Sequence, residues 1–181
     1  DNVSYHIYAR VIESLFKPIP NTPYTQLQRF FGNCFLGILR NRPAAADTKR
    51  GAKIIATLEQ NSLSLFEREV GRDSKQYNED WSFILNHVVR YWGDRYSDSE
   101  HDVKLLQAFI RYCGYVDEER RELTRRYFTA HQLEQEDLNK IHLTAWYETI
   151  NREEFAREAL KLLGKLSLFD EPLILVFDQL E

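Results

Sequence analysis

The chain has 181 residues, of which 43% are hydrophobic and 29% charged, with a net charge of −4. That length can bury a real core within one domain, and the balance is that of an ordinary globular protein. A mildly acidic chain gives no electrostatic reason to expect nucleic acid as a general partner. No apolar run approaches the ~20 residues of a membrane span, and the start Asp1-Asn2-Val3-Ser4-Tyr5-His6 lacks the basic and apolar regions of a signal peptide.

Helical periodicity dominates in chain order. Val3 to Lys17 carries Ile7, Val11, Ile12, Leu15 and Phe16 on one face and stops before Pro18. Pro18 to Pro23 reads as a turn, with Thr22 as N-cap and Pro23 as first helical residue of the next helix. That helix runs to about Asn41 with Leu27, Phe30, Phe31, Cys34, Phe35, Ile38 and Leu39 as its core stripe. Gly32 and Gly37 inside it suit close helix packing, and Asn41-Arg42-Pro43 ends it. A third helix is expected from Asp47 to about Val70, with Ile54, Ile55, Leu58, Leu65 and Phe66 apolar, followed by a polar loop at Gly71–Lys75.

Trp81, Ile84, Leu85, Val88, Val89 and Trp92 follow helical spacing as far as Gly93-Asp94. Ser97 and Glu100 have the capping-box pattern before a helix whose stripe is Val103, Leu106, Phe109, Ile110 and Cys113, closed by Gly114. Shorter helices are expected at 116–129, 134–142 and 151–166. Asn151 caps the last of these, with Glu154 three residues on and Phe155, Leu160, Leu162 and Leu163 turned inward. Only Leu173–Asp178 argues for a strand, and its unbroken apolar run implies burial on both faces. A single strand cannot satisfy its own backbone donors and acceptors, so it must join a sheet supplied elsewhere, pair with another copy, or stay frayed.

That terminal stretch carries the chemistry. A rigid buried strand ending in Asp178 would hold a carboxylate at the carboxyl edge of a sheet, where open α/β sheets bind ligands. A carboxylate so placed can hold Mg²⁺ through a water, and a second one nearby can orient an attacking water. The simpler reading is a core strand ending in an exposed acidic turn. Leu173-Ile174-Leu175-Val176-Phe177-Asp178-Gln179-Leu180-Glu181 resembles the Walker B segment of P-loop ATPases of the STAND and AAA+ kind, many of which have Asp-Gln-hydrophobic-Glu after the strand. More loosely, the order of helices resembles a helical region between the phosphate-binding loop and Walker B in some prokaryotic members. The matching pieces are Tyr8–Pro18, the helix start at Thr25-Gln26-Leu27, the acidic Gln132–Leu143 and the amphipathic Glu153–Leu166.

The resemblance implies that Asp178 is the cofactor-binding and Mg²⁺-associated residue and Glu181 the catalytic carboxylate. ATP and Mg²⁺ would then be bound by the intact protein. The commonest Walker B places Glu directly after Asp, where this chain has Gln179. No Gly-x-x-x-x-Gly-Lys-Ser/Thr loop occurs in the chain, so no nucleotide binding is expected of it in isolation.

Other clusters read as structural. Arg120, Arg121, Arg125 and Arg126 could contact phosphate, either of nucleic acid or of a neighbour's ATP. Glu118, Glu119 and Glu122 beside them argue for a solvated, neutralised face. The five histidines have no metal-ligand spacing, and Trp81, Tyr91, Trp92, Tyr96 and Tyr112 read as core rather than as a stacking platform. Cys34 and Cys113 read as buried free thiols in a reducing cytoplasm. The absence of methionine, even at position 1, fits an excised segment.

The expected fold is therefore mainly α, a bundle-like array of about seven or eight helices with one C-terminal strand. Residues 1–170 form a helical subdomain, and 171–181 a Walker B-like strand belonging to a larger ATPase domain. The partner is then the remainder of the same ATPase chain. The alternative is a helical protein–protein interaction or regulatory module, binding a protein partner or another copy of itself. A DNA-associated helical domain is the third reading.

Overall fold

The computed structural model describes residues 2–67, 74–96 and 100–170, and most of the helical spacing read from the sequence is realised there. The fold is mainly α. Among the described residues there are nine α-helices and two short 3₁₀ turns. The helices are α1 (Val3–Leu15), α2 (Gln26–Arg40), α3 (Pro43–Ala46), α4 (Lys49–Gln60), α5 (Ser74–Arg95), α6 (Glu100–Gly114), α7 (Glu118–Phe128), α8 (Gln135–Ile141) and α9 (Arg152–Leu166). The turns are Ser64–Phe66 and Ser167–Phe169. None of these helices is long and apolar enough to cross a membrane. The expected strand at Leu173–Asp178, the capping residue Ser97 and most of the polar loop at Gly71–Lys75 lie outside the described residues.

Several boundaries differ from the sequence expectation, each for a local reason. Helix α2 starts at Gln26, not after Thr22. Thr25 and Gln28 form a reciprocal capping box that satisfies two orphan N-terminal donors. Thr22 instead closes the preceding turn, donating to the Ile19 carbonyl and accepting from the Tyr24 amide. The helix expected from Asp47 to about Val70 is shorter, spanning Lys49–Gln60, and a separate short helix precedes it. Pro43 stops α2 but opens α3, where its fixed φ suits the first helical turn. Thr48 then caps α4 by accepting from the Gly51 amide. Helix α4 ends at Gln60 because Asn61 is extended and its side chain accepts from the Leu63 amide. Leu65 and Phe66 still reach the core, but from the 3₁₀ turn. Helix α5 begins at Ser74, about two turns before Trp81, with Tyr77 buried in that added stretch.

The capping box at Asn151 and Glu154 forms as its spacing predicts. Its neighbour Glu153 reaches across to α1, where its carboxylate accepts from the amides of Ser4 and Tyr5 at 2.7 and 3.0 Å. Helix α1 has no side-chain cap of its own, so α9 supplies the missing acceptor.

Helix α2 lies against α1, α3, α4, α5 and the terminal 3₁₀ turn, while α6 packs on α5, α7 and α9. All seven expected apolar positions of α2, from Leu27 to Leu39, are buried. Phe31 stacks on Phe109 of α6 with ring centroids 4.9 Å apart, and Phe109 contacts Phe128 of α7 at 4.7 Å. Phe16, just after α1, stacks on Phe128. A second cluster gathers Tyr8, Tyr127 and Trp146 around Phe155, joining α1, α7 and the loop before α9. Tyrosine hydroxyls tie the irregular segments to this core. Tyr8 donates to the Phe128 carbonyl, Tyr115 to that of Ile141, Tyr127 to that of Thr144 and Tyr147 to that of Leu133. Burial pushes the Tyr8 and Tyr127 hydroxyls well above their ordinary pKa, so both remain donors. Trp81 and Trp92 are core residues as expected.

The two glycines of α2 do allow close approach, but not of another helix. A β-carbon on Gly32 would strike the backbone carbonyl of Ser62, in the turn after α4. In an open helix, Gly→Ala stabilises by about 1 kcal/mol. Here the overpacking cost of about 1–3 kcal/mol opposes it, and backbone cannot move aside as a side chain can. Gly32→Ala is expected to lower stability by about 1 kcal/mol or more. Chemical denaturation would measure this, and an unchanged or raised midpoint would contradict the close approach.

Candidate functional site

The residues expected to carry chemistry, Asp178 and Glu181, lie outside the described residues. What the structure does define is how the chain is held just before them. Helix α9 ends at Leu166 and tightens into the 3₁₀ turn Ser167–Phe169, with Asp170 extended after it. This end is fastened to α2 by three kinds of contact. The Asn33 amide donates to the Asp170 carboxylate at 2.7 Å. The Cys34 thiol donates to the Leu166 carbonyl at 3.4 Å. Gly37 leaves a slot for Phe169, whose β-carbon lies 3.0 Å from where a Gly37 β-carbon would sit, and the Phe169 ring meets Tyr91 of α5 edge to face.

Burial pushes the Cys34 thiol well above its usual pKa, with the nearby Asp170 charge adding to the effect. Burial also raises Cys113, against the opposing charge of Arg121. Both cysteines are free and buried, as the sequence suggests, and both stay protonated and unreactive.

Two carboxylates that the sequence reading did not single out are the buried charges of the bundle. Asp102, 1% exposed, accepts from Lys165 Nζ of α9 at 2.7 Å and from the Trp92 indole of α5 at 3.3 Å. The Lys165 ammonium also sits over the Tyr96 ring, 4.9 Å from its centroid. Asp102 lies in the first turn of α6, where the helix dipole favours an anion. Asp80, 3% exposed, faces Arg50 of α4 at 3.6 Å. The signal for both was positional. Asp80 is in phase with Tyr77, Trp81 and Ile84, and Asp102 with Leu105 and Leu106, so each falls on a core stripe.

The arginines of α7 are only partly neutralised in the manner expected. Arg125 makes a two-pronged pair with Glu122 at 2.7 and 2.8 Å. Arg120 and Arg121 instead lie over the rings of Tyr115 and Tyr112. Glu119 is drawn away to Lys140 of α8 at 3.0 Å. This is a surface that braces α7 against α6 and α8.

Among the described residues no group of three or more His, Cys, Asp or Glu is placed to hold a metal ion. An open groove of about 580 Å³ lies beside Arg50, Lys75, Asn78, Glu79, Ser82, Phe83 and Asn86. A smaller apolar groove of about 240 Å³ runs between α1 and α7, floored by Tyr8, Ile12 and Phe16. Neither brings together a nucleophile, a base and an orienting group. No protein-family model, curated protein or solved structure matches this chain.

Two measurements test the polar contacts. Lys165→Met strands the Asp102 carboxylate in the core. Breaking a fully buried pair costs ~3–5 kcal/mol, and the 34% exposure of the Lys165 side chain lowers the expected loss to about 2 kcal/mol. Denaturation of Lys165→Met beside Asp102→Asn should show the larger loss in the former. His87 gives a pH dependence. Its Nδ1 accepts from Arg42 Nε at 3.4 Å, and Arg42 also pairs with Asp94. Burial, reinforced by the charges of Arg42 and Arg90, holds His87 below its ordinary pKa. The unfolded chain therefore binds the proton more readily, and stability falls as pH drops below about 6.5. Melting temperatures from pH 7.5 to 5.5 should decline less in His87→Gln than in the parent; parallel curves would rule His87 out.

Proposed function

We propose that this chain is the helical part of a P-loop ATPase, and that its last residues contribute the Walker B strand to Mg²⁺-ATP hydrolysis in the intact protein. The observation that carries the reading is the sequence pattern Leu173–Glu181, an apolar run followed by Asp178, Gln179 and Glu181. A strand at this position would need a sheet to satisfy its backbone, and no strand occurs among the described residues to provide one. A larger ATPase domain would supply that sheet, together with the phosphate-binding loop. Within the site, Asp178 would hold Mg²⁺ through a water and Glu181 would orient the attacking water. The cytoplasmic setting expected from the free cysteines agrees with an ATP-dependent role.

A helical interaction module calls for a contiguous exposed apolar patch. Among the described residues the exposed large hydrophobics are Val3, Val116 and Leu168, which belong to three separate elements. DNA binding through α7 has little support, because Arg120, Arg121 and Arg125 are engaged within the domain.

The test uses the intact gene product. Asp178→Asn is expected to weaken Mg²⁺-dependent ATP binding and turnover together. Glu181→Gln should leave nucleotide binding in place and lower kcat by about 10²-fold or more, the scale of losing a positioned general base. Fluorescent-nucleotide titration and phosphate release distinguish the two. Parent-like hydrolysis by Glu181→Gln would remove its catalytic role, and no Mg²⁺-ATP turnover by the parent would end the ATPase reading.

A further inference from the structure

A cavity of about 220 Å³ opens where the first turn of α2, the turn Ser64–Phe66, α5, the end of α6 and the first turn of α7 meet. Two hydrogen-bond donors line it. Arg121 of α7 lies over the Tyr112 ring at 5.0 Å and gives one N–H to the Tyr112 hydroxyl at 3.3 Å. It pairs with no carboxylate among the described residues, whereas Arg125, one turn on, is taken by Glu122. Gln28 of α2 engages its Oε1 in the capping box with Thr25, and its Nε2 makes no hydrogen bond among the described residues. The rest of the lining is Phe66, Tyr77, Cys113, Tyr115 and Val116, so no acidic residue lines the cavity.

A guanidinium presents five N–H donors in a planar fork that matches a carboxylate. The Tyr112 hydroxyl takes one of them, and the others await an acceptor. Arg121 is half-buried, and a cation held partly out of water without a counter-charge gains from an anion beside it. A single cation balances a single negative charge, which favours a carboxylate over a phosphate dianion. The aromatic and aliphatic lining suits a small apolar body. The cavity is smaller than the ~300–1,000 Å³ of pockets for drug-sized ligands, so the ligand is small. We propose that this cavity binds the carboxylate of a small organic acid, with Arg121 and Gln28 as its donors. Such a site does not involve Asp178 or Glu181, so it holds whether or not the intact protein hydrolyses ATP.

Benzoate is the probe, with benzamide as its uncharged counterpart and inorganic phosphate as an anion without an apolar body. Each is titrated by calorimetry into the intact gene product, as the parent, Arg121→Gln and Gln28→Glu. Glu at the third helical position keeps the capping box but sets a carboxylate against the ligand. Thermal melting checks folding, and Gln28→Glu still decides if Arg121→Gln folds poorly. The expected result is saturable benzoate binding by the parent. Benzamide should bind about tenfold more weakly or less, and each substitution should weaken benzoate by about tenfold or more, the scale of one hydrogen bond to a charged group. Gln28→Glu should melt close to the parent, which separates lost binding from lost structure. No saturable benzoate binding by the parent, equal binding of benzamide, or parent-like benzoate binding by Gln28→Glu overturns the site. Phosphate binding as tight as benzoate, and equally lost in both variants, overturns the assignment to an organic acid.

Discussion

The stack of Phe31 on Phe109 is the contact on which the rest of the bundle depends. It joins α2, which meets most of the N-terminal elements and the terminal turn, to α6, which meets α5, α7 and α9. Phe109 passes the contact on to Phe128, and Phe128 to Phe16 and Tyr112. Removing any ring from this column would leave a cavity at the junction of several helices, where no single helix can shift to fill it. The column also explains why a chain with so many short helices holds together. Elements such as α3 and α8 are too short to be stable alone and persist because they cover this core.

Polar groups finish what the rings begin. Asp102 links three helices through Lys165 and Trp92, and Glu153 caps α1 from α9. Four tyrosine hydroxyls pin backbone carbonyls in and around the loops that flank α8 and at the end of α7. Each buried polar atom so satisfied would otherwise carry a desolvation cost. The charged residues of the middle of the chain serve the same end, with Arg42, Arg50 and Arg125 each paired. The chemistry proposed for the chain lies beyond Asp170, outside the described bundle.

Asp178 and Glu181 were singled out because the Walker B-like pattern is contiguous, with its apolar run and acidic residues in one short stretch. The contacts that fasten the end of α9 to α2 were not. Asn33 is one polar residue within a helix, and Asp170 one acidic residue after another helix, 137 positions away. Nothing in the sequence spacing pairs them. Cys34 was recognised as buried, yet its bond to the Leu166 carbonyl depends on how α9 lies over α2. Asp80 and Asp102 could have been noticed as acidic residues in phase with apolar stripes, but their partners Arg50 and Lys165 come from other helices.

By itself the sequence determined which segments are helical and which side of each is buried, because both follow from a period of 3.6 residues acting within a few turns. The stripe of α2 and the cap at Asn151 are local in this sense. The capping box of Thr25 and Gln28 that starts α2 and the turn at Asn61 that ends α4 are local as well, whereas tertiary structure alone decided what Gly32 and Gly37 make room for. A glycine shows only that space is free, and the segment that fills it comes from a distant part of the chain.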